Sequence, residues 1–230
     1  MIKHVAIVMD GNRRFSKRLM QMPWDGHTYG AKKLKEVMEW CKEKEIKELT
    51  LYTFSYENFN RPKIEFDFLM DLFRKEFSEL MRNKDDLKKN DLCINFIGRF
   101  EKFPKDIQDM MFEIMDLTKS YKSYKVNFAI GYSGRIEIVD AIRKISDDIN
   151  EGKISNKEID ENLIKKYLYI SSEPEVIIRT GGERRLSNFL LFQSGYSELF
   201  FIDTLWPEFS KKEFDEIISQ YYSRERRFGK

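Results

Sequence analysis

Cysteine and histidine are scarce in this chain, at two each in 230 residues. Cys41 and Cys93 stand alone without CxxC spacing, and the histidines are His4 and His27. A disulfide framework and a structural zinc site are therefore excluded, and the expected compartment is a reducing cytoplasm. No apolar run approaches the ~18 residues of a membrane span. Met1 leads straight into an expected strand, so no signal peptide is expected. The expectation is a cytoplasmic protein with, at most, peripheral contact at a membrane. Charge of either sign is not in excess: 41 basic residues face 39 acidic ones, for a net +2. A dedicated nucleic-acid binder would be markedly basic, so no nucleic-acid partner is expected. The nucleotide fingerprints GxGxxG and GxxxxGK[ST] are also missing.

What is present is a 41% apolar, 35% charged chain, long enough for one ordinary core spanning 1–230. His4 to Met9 is a short apolar run of the kind that forms a fully buried strand. Residues 16–29 read as irregular, punctuated by Pro23, Gly26 and Gly30, and a helix is expected from Ala31. Further strands are expected at Leu49–Phe54, Leu92–Ile97, Val126–Ile130, Val176–Arg179 and around Leu199–Phe201. Between them lie helical patterns at 64–82, 105–118, from after Arg135 to about Asn150, 157–168 and 211–222. Alternation of this kind predicts an α/β domain with a central, mainly parallel sheet of about six strands flanked by helices.

Several strand ends carry groups suited to phosphate or metal. The first strand stops at Asp10-Gly11-Asn12-Arg13-Arg14-Phe15. Gly and Asn permit a tight turn that aims N–H groups at an anion, and the arginines add fixed cationic forks. Asp10 would repel that anion unless a divalent cation lay between them, which suggests Mg²⁺. The second strand ends in Ser55 to Arg61, and the fifth in Arg179 to Ser187. Each alone is also readable as a solvated loop; the ends of parallel strands, however, converge in space.

These residues resemble a family. His4 to Arg14, Gly26-His27 with Gly30, Tyr52 to Pro62, and Ile178 to Trp206-Pro207 are similar to the motifs of cis-prenyltransferases. That family includes undecaprenyl diphosphate synthase and dehydrodolichyl diphosphate synthase. The likeness runs from residue 4 to Arg224–Gly229 in the family's order, and Ile178 to Leu191 is its most distinctive part. It implies repeated condensation of isopentenyl diphosphate with an allylic diphosphate, farnesyl or geranylgeranyl, to a long-chain polyprenyl diphosphate such as undecaprenyl diphosphate. Such a product is the precursor of a glycosyl carrier lipid.

The resemblance also implies roles. Asp10 would be the essential acid at Mg²⁺, with Gly11, Asn12, Arg13 and Arg14 around the allylic diphosphate. Arg179, Arg185, Leu186 and Ser187 would hold isopentenyl diphosphate, with Glu198 as a second metal carboxylate. Phe15, His27, Ser55, Tyr56, Glu57, Phe59 and Arg61 complete the expected substrate shell. Asn58 is the family's proton acceptor by one description. A neutral amide is a poor base, so positioning suits Asn58 better, with diphosphate or Asp10 taking the proton. Phe66, Leu69, Phe73, Phe77 and Leu80 form a helical stripe readable as core or, by resemblance, as the wall of an apolar tunnel for the growing chain.

This chain has Arg13, Phe15 and Pro23 where many bacterial members have Gly, Trp and Arg. Archaeal members carry similar substitutions and tend toward longer primers, which points to geranylgeranyl diphosphate. Asp147 to Glu151 mimics the DDxxD motif of trans-prenyl synthases but falls at a helix end, where a solvated run is the expectation. A phosphohydrolase with Asp10 as nucleophile would want an acid at position 12, which is Asn. A non-catalytic subunit would lack Asp10, whereas this chain has Asp10 and Arg227-Phe228-Gly229 together. The resemblance thus implies a homodimer whose tails, through Arg227, complete the neighbouring site.

Overall fold

A computed structural model describes residues 1–224. In chain order the elements are β1 (His4–Val8), α1 (Asn12–Arg18), α2 (Gly26–Glu43), β2 (Glu48–Ser55), α3 (Lys63–Arg82), α4 (Lys84–Lys89) and β3 (Leu92–Ile97). They continue with α5 (Lys105–Thr118), β4 (Tyr124–Tyr132), α6 (Gly134–Asn150), α7 (Glu161–Tyr167), β5 (Val176–Arg179), β6 (Glu198–Phe201) and α8 (Lys211–Ser223). All strand pairs are parallel, in the order β3-β4-β2-β1-β5-β6. β1 lies between β2 and β5, so the chain reverses its winding direction there. In such sheets the crevice beyond the strand ends at this switch point is where ligands bind.

The apolar runs became strands because both faces of the sheet are covered. Alternation sends Val5, Ile7, Leu51, Phe128 and Ile178 to one face, where they meet residues of α2, α3, α5 and α8. Ala6, Val8, Ala129 and Ile177 point the other way and meet Phe189 and Leu190 of the loop after β5. On that side the buried carboxylate of Glu137 accepts from Gln193 Nε2 (3.0 Å), the Tyr169 N–H (2.9 Å) and the Tyr132 hydroxyl. Several helix starts are set by side chains: the Ser133 hydroxyl accepts from Ile136 N–H at the start of α6, and Ser210 and Glu213 cap α8 reciprocally.

The structure corrects the expectation for residues 16–29. Half of that span is helical, in the end of α1 and the first turn of α2, with turns between them. Gly26 does not break the helix; it lets α2 press on α1, since a Cβ there would lie 2.0 Å from the Asn12 carbonyl oxygen. The pattern at 157–168 divides into a 3-10 turn at Asn156–Glu158 and α7 from Glu161. The acidic run at the end of α6 is solvated, as expected: Asp148 accepts from Tyr167 and Lys153. It lies roughly 20 Å along the helix from Gly134, far from the strand ends that gather the polar motifs.

Candidate active site

Gly11 makes the turn out of β1 possible. Its φ of 111° is left-handed, and a Cβ would meet Leu205 at 2.9 Å. α1 therefore starts at once after Asp10, with Arg13 and Arg14 in its first turn. Thr180 Oγ1 and the Trp206 N–H donate to the Asp10 carbonyl at 2.7 and 2.9 Å, so the loops after β5 and β6 lock the backbone of this residue. On its side chain, Oδ2 accepts from Arg179 Nη2 at 2.9 Å and Oδ1 from Arg14 Nη2 at 3.3 Å. Arg179 is buried; its Nη1 also donates to Ser187 Oγ and to the Arg185 carbonyl, both at 2.6 Å. The first and fifth strand ends are thus one cluster.

A second cluster forms beside it. Glu65 of α3 is 2% exposed and accepts from Arg61 Nη1 at 2.7 Å, with Arg13 at 3.8 Å. Arg61 also lies 3.4 Å from His27 Nε2. Burial, with Arg61 and Arg13 adding to it, pushes His27 down to about 3, so the ring is neutral and accepts from Arg61. Asn58 Oδ1 accepts from the Ser55 N–H at 3.1 Å, which commits its acceptor end to the turn after β2.

Two connected cavities open here. A polar basin of about 440 Å³ is lined by Asp10, Gly11, Asn12, Arg13, Arg14, Lys17, His27 and Arg61. A larger cavity of about 940 Å³ shares Asp10, Asn12, His27 and Arg61 and takes in Ser55, Glu57, Asn58, Arg179 and Ser187. It then runs between α2 and α3 along Leu34, Met38, Leu69, Phe73, Phe77 and Leu80. Lys35 straps the two helices across it, its Nζ 2.6 Å from Glu79 and 3.8 Å from Glu76. The arrangement suits an amphiphile, with an anion among guanidinium groups and a hydrocarbon between helices.

The comparisons with known proteins agree. A family profile described as "Putative undecaprenyl diphosphate synthase" matches residues 8–229. The chain belongs to this family of cis-prenyltransferases. It is 50% identical to the tritrans,polycis-undecaprenyl-diphosphate synthase (geranylgeranyl-diphosphate specific) of Pyrococcus abyssi, over 99% of this chain and 87% of that one. With the enzyme of the same name from Methanocaldococcus jannaschii it shares 44%, over 99% and 82%. Among solved structures, lavandulyl diphosphate synthase from Lavandula x intermedia, in complex with dimethylallyl diphosphate, superposes with a TM-score of 0.92 at 32% identity. That match covers 100% of this chain and 98% of the other. A probable undecaprenyl diphosphate synthase from Campylobacter jejuni gives 0.82 at 33%, covering 100% and 99%.

Not every expected residue of this cis-prenyltransferase lines its cavities. Phe15 packs edge-on against Tyr29, Tyr56 lies under Lys102, and Phe59 packs among Phe54, Phe66 and Phe103. All three support the walls. The Arg185 side chain pairs outward with Glu183 at 2.6 Å, and Leu186 packs on the second sheet face. Glu198 does not join Asp10 within one chain. It pairs with Val176 in register, level with Val5, and its carboxylate is bound to Arg224. That places it about 10 Å short of the end of β1 and two strand spacings, about 10 Å, to the side. No single ion with ~2 Å bonds can join the two. Arg227 lies outside the described residues.

Sequence reading missed Glu65, whose signal was only its i+4 spacing from Arg61, and Tyr52, whose hydroxyl donates to the Ser187 carbonyl at 3.2 Å. It also missed Asn188 and Arg135, which line the larger cavity. The cysteines stay out of the chemistry: burial pushes the Cys41 thiol up to about 12.

Proposed function

We propose that this enzyme elongates geranylgeranyl diphosphate with isopentenyl diphosphate, in cis steps, to a long-chain polyprenyl diphosphate such as undecaprenyl diphosphate, a precursor of glycosyl carrier lipid. The observation that carries the reading is continuity: the guanidinium-rich basin around Asp10 opens directly into the apolar cavity between α2 and α3. The primer preference rests on the archaeal relatives, whose names specify geranylgeranyl diphosphate.

The basin, with Arg13, Arg14, Lys17 and Arg61, takes the allylic diphosphate, and its prenyl tail lies along Leu34, Met38, Leu69 and Phe73. Arg179 and Ser187 take the diphosphate of isopentenyl diphosphate beside it. As the allylic C–O bond breaks, charge grows on the leaving oxygen, where donors fixed in advance stabilise it without rearranging. Asp10 would hold Mg²⁺ there. The donor set fits an ion that keeps several waters and takes one carboxylate plus substrate phosphate, and among the described residues no cage of three acids, histidines or cysteines competes. When bound, the ion neutralises the departing diphosphate. The proton lost after carbon–carbon bond formation passes to an anionic oxygen at this end, on the diphosphate or Asp10. Asn58 presents its N–H groups and positions substrate. Glu65 and His27 hold Arg61 in place.

The enzyme works as a homodimer, with Glu198 and the C-terminal tail assigned to the contact between copies. Exposed Leu19, Met20 and Met22, next to Lys17, support a peripheral contact with membrane lipid. The test is incubation with isopentenyl diphosphate and each allylic primer, with and without Mg²⁺, followed by product masses. Long-chain product from geranylgeranyl diphosphate is expected, with Asp10→Ala lowering turnover at least ~100-fold. Phosphate release without elongation would make the enzyme a hydrolase instead.

A further inference from the structure

Four permanently basic side chains line the larger cavity: Lys35, Arg61, Arg135 and Arg179. Three are already matched by carboxylates, Lys35 by Glu79 (2.6 Å), Arg61 by Glu65 (2.7 Å) and Arg179 by Asp10 (2.9 Å). Arg185, just outside the lining, is matched by Glu183 at 2.6 Å. The Arg135 guanidinium is exposed and has no carboxylate or hydrogen-bond partner among the described residues.

Its backbone is not free at all. The N–H of Arg135 donates to Asn188 Oδ1 (2.9 Å), that of Gly134 to the Asn188 carbonyl (2.8 Å), and Asn188 Nδ2 to Ser133 Oγ (2.6 Å). Ser187 and Asn188 both sit at left-handed φ, 49° and 67°, a strained double turn that these bonds hold. The turn delivers the Ser187 hydroxyl to Arg179 and, by the same bonds, fixes Arg135 beside it. Because the first N–H groups of α6 are spent on this attachment, the free donor at the helix start is the side chain. The nearest carboxylate on this wall is Glu57, which accepts from Asn188 Nδ2 at 3.4 Å.

We propose that Arg135 is a binding residue of the second diphosphate subsite, the one for isopentenyl diphosphate. It supplies there the positive charge that Arg179 and Arg185 share with Asp10 and Glu183. Its planar fork can meet two phosphate oxygens at once, which a lysine cannot do. This assignment rests on the function proposed above. It deepens that reading by adding a cation from β4 and α6 to a subsite otherwise drawn from the loop after β5.

The test is steady-state kinetics on Arg135→Gln and Arg135→Lys, varying each substrate in turn, with calorimetric binding of inorganic pyrophosphate alongside. Losing a charge-assisted pair raises the KM for isopentenyl diphosphate about 10- to 100-fold in Arg135→Gln, with Arg135→Lys intermediate. The KM for the allylic primer should stay within about twofold, because Arg135 does not line the basin. An unchanged isopentenyl KM, or equal rises for both substrates, would overturn the assignment. If the wild-type protein elongates nothing, the functional reading falls alone, and weaker pyrophosphate binding by Arg135→Gln would still uphold an anion site. Pyrophosphate binding that Arg135→Gln leaves unchanged would, in that case, remove the site as well.

Discussion

His4 is buried and His27 half-buried, and desolvation holds His4 at about 4 and His27, with Arg61 and Arg13 adding to it, at about 3. In the unfolded chain each would titrate near 6.5. The unfolded state therefore takes up protons first as pH falls. The stability these groups contribute is whole above pH 6.5 and is lost progressively toward pH 3–4. At pH 5 the loss is up to roughly 2 kcal/mol per histidine. Urea midpoints at pH 7.5 and pH 5 should show the decline, and His4→Asn, distant from both cavities, should make it shallower. An equal decline in that variant would assign it to carboxylates. Residue chemistry of this sort was only half legible. Asp10, the arginines and Ser187 announce themselves at strand ends, whereas Glu65 hides among the many charges of α3. Only its 2% exposure separates it from ordinary surface acids.

Among the elements, α2 and α3 do two things with one stripe. Leu69, Phe73 and Phe77 are buried in the main core, and the same side chains line the cavity. Core and tunnel wall are identical in sequence because both need apolar residues at helical spacing; only the separation of the helices tells them apart. The misread start of α2 has a related cause. Its glycines look like breakers until Asn12 and Trp206 are seen packed against them. If the cavity holds the growing chain, narrowing it should shorten the product. Leu80 lies about two turns of α3 beyond Phe73, or ~10 Å. Leu80→Trp is expected to shift product masses down by one or more five-carbon units while the first condensation keeps its rate. Unaltered masses would place the chain elsewhere.

For the whole molecule, the strands were legible because a parallel sheet buried on both faces must be written in continuous apolar runs. Their order was not, and Glu198 shows the cost: ten residues beyond Asn188 in the chain, it starts a strand at the far end of the sheet. If the site is completed between copies, as proposed, a mixing experiment is decisive. Asp10→Ala and Arg227→Ala chains, each poor alone, should regain roughly a quarter of wild-type turnover when co-refolded. Half of the dimers would be mixed, and half of their sites intact. No recovery would mean that each tail serves its own chain.

The 940 Å³ hollow has a consequence under scarcity. If the growing chain lies there, every five-carbon unit that enters gains about 3–4 kcal/mol of burial, so a half-built lipid would be held harder than its starting primer. On that reading, when isopentenyl diphosphate runs short, copies of the enzyme would sit loaded and waiting instead of spilling stunted chains. Starvation would then show as fewer finished lipids of unchanged length, and as a protein that melts at a higher temperature than when well fed.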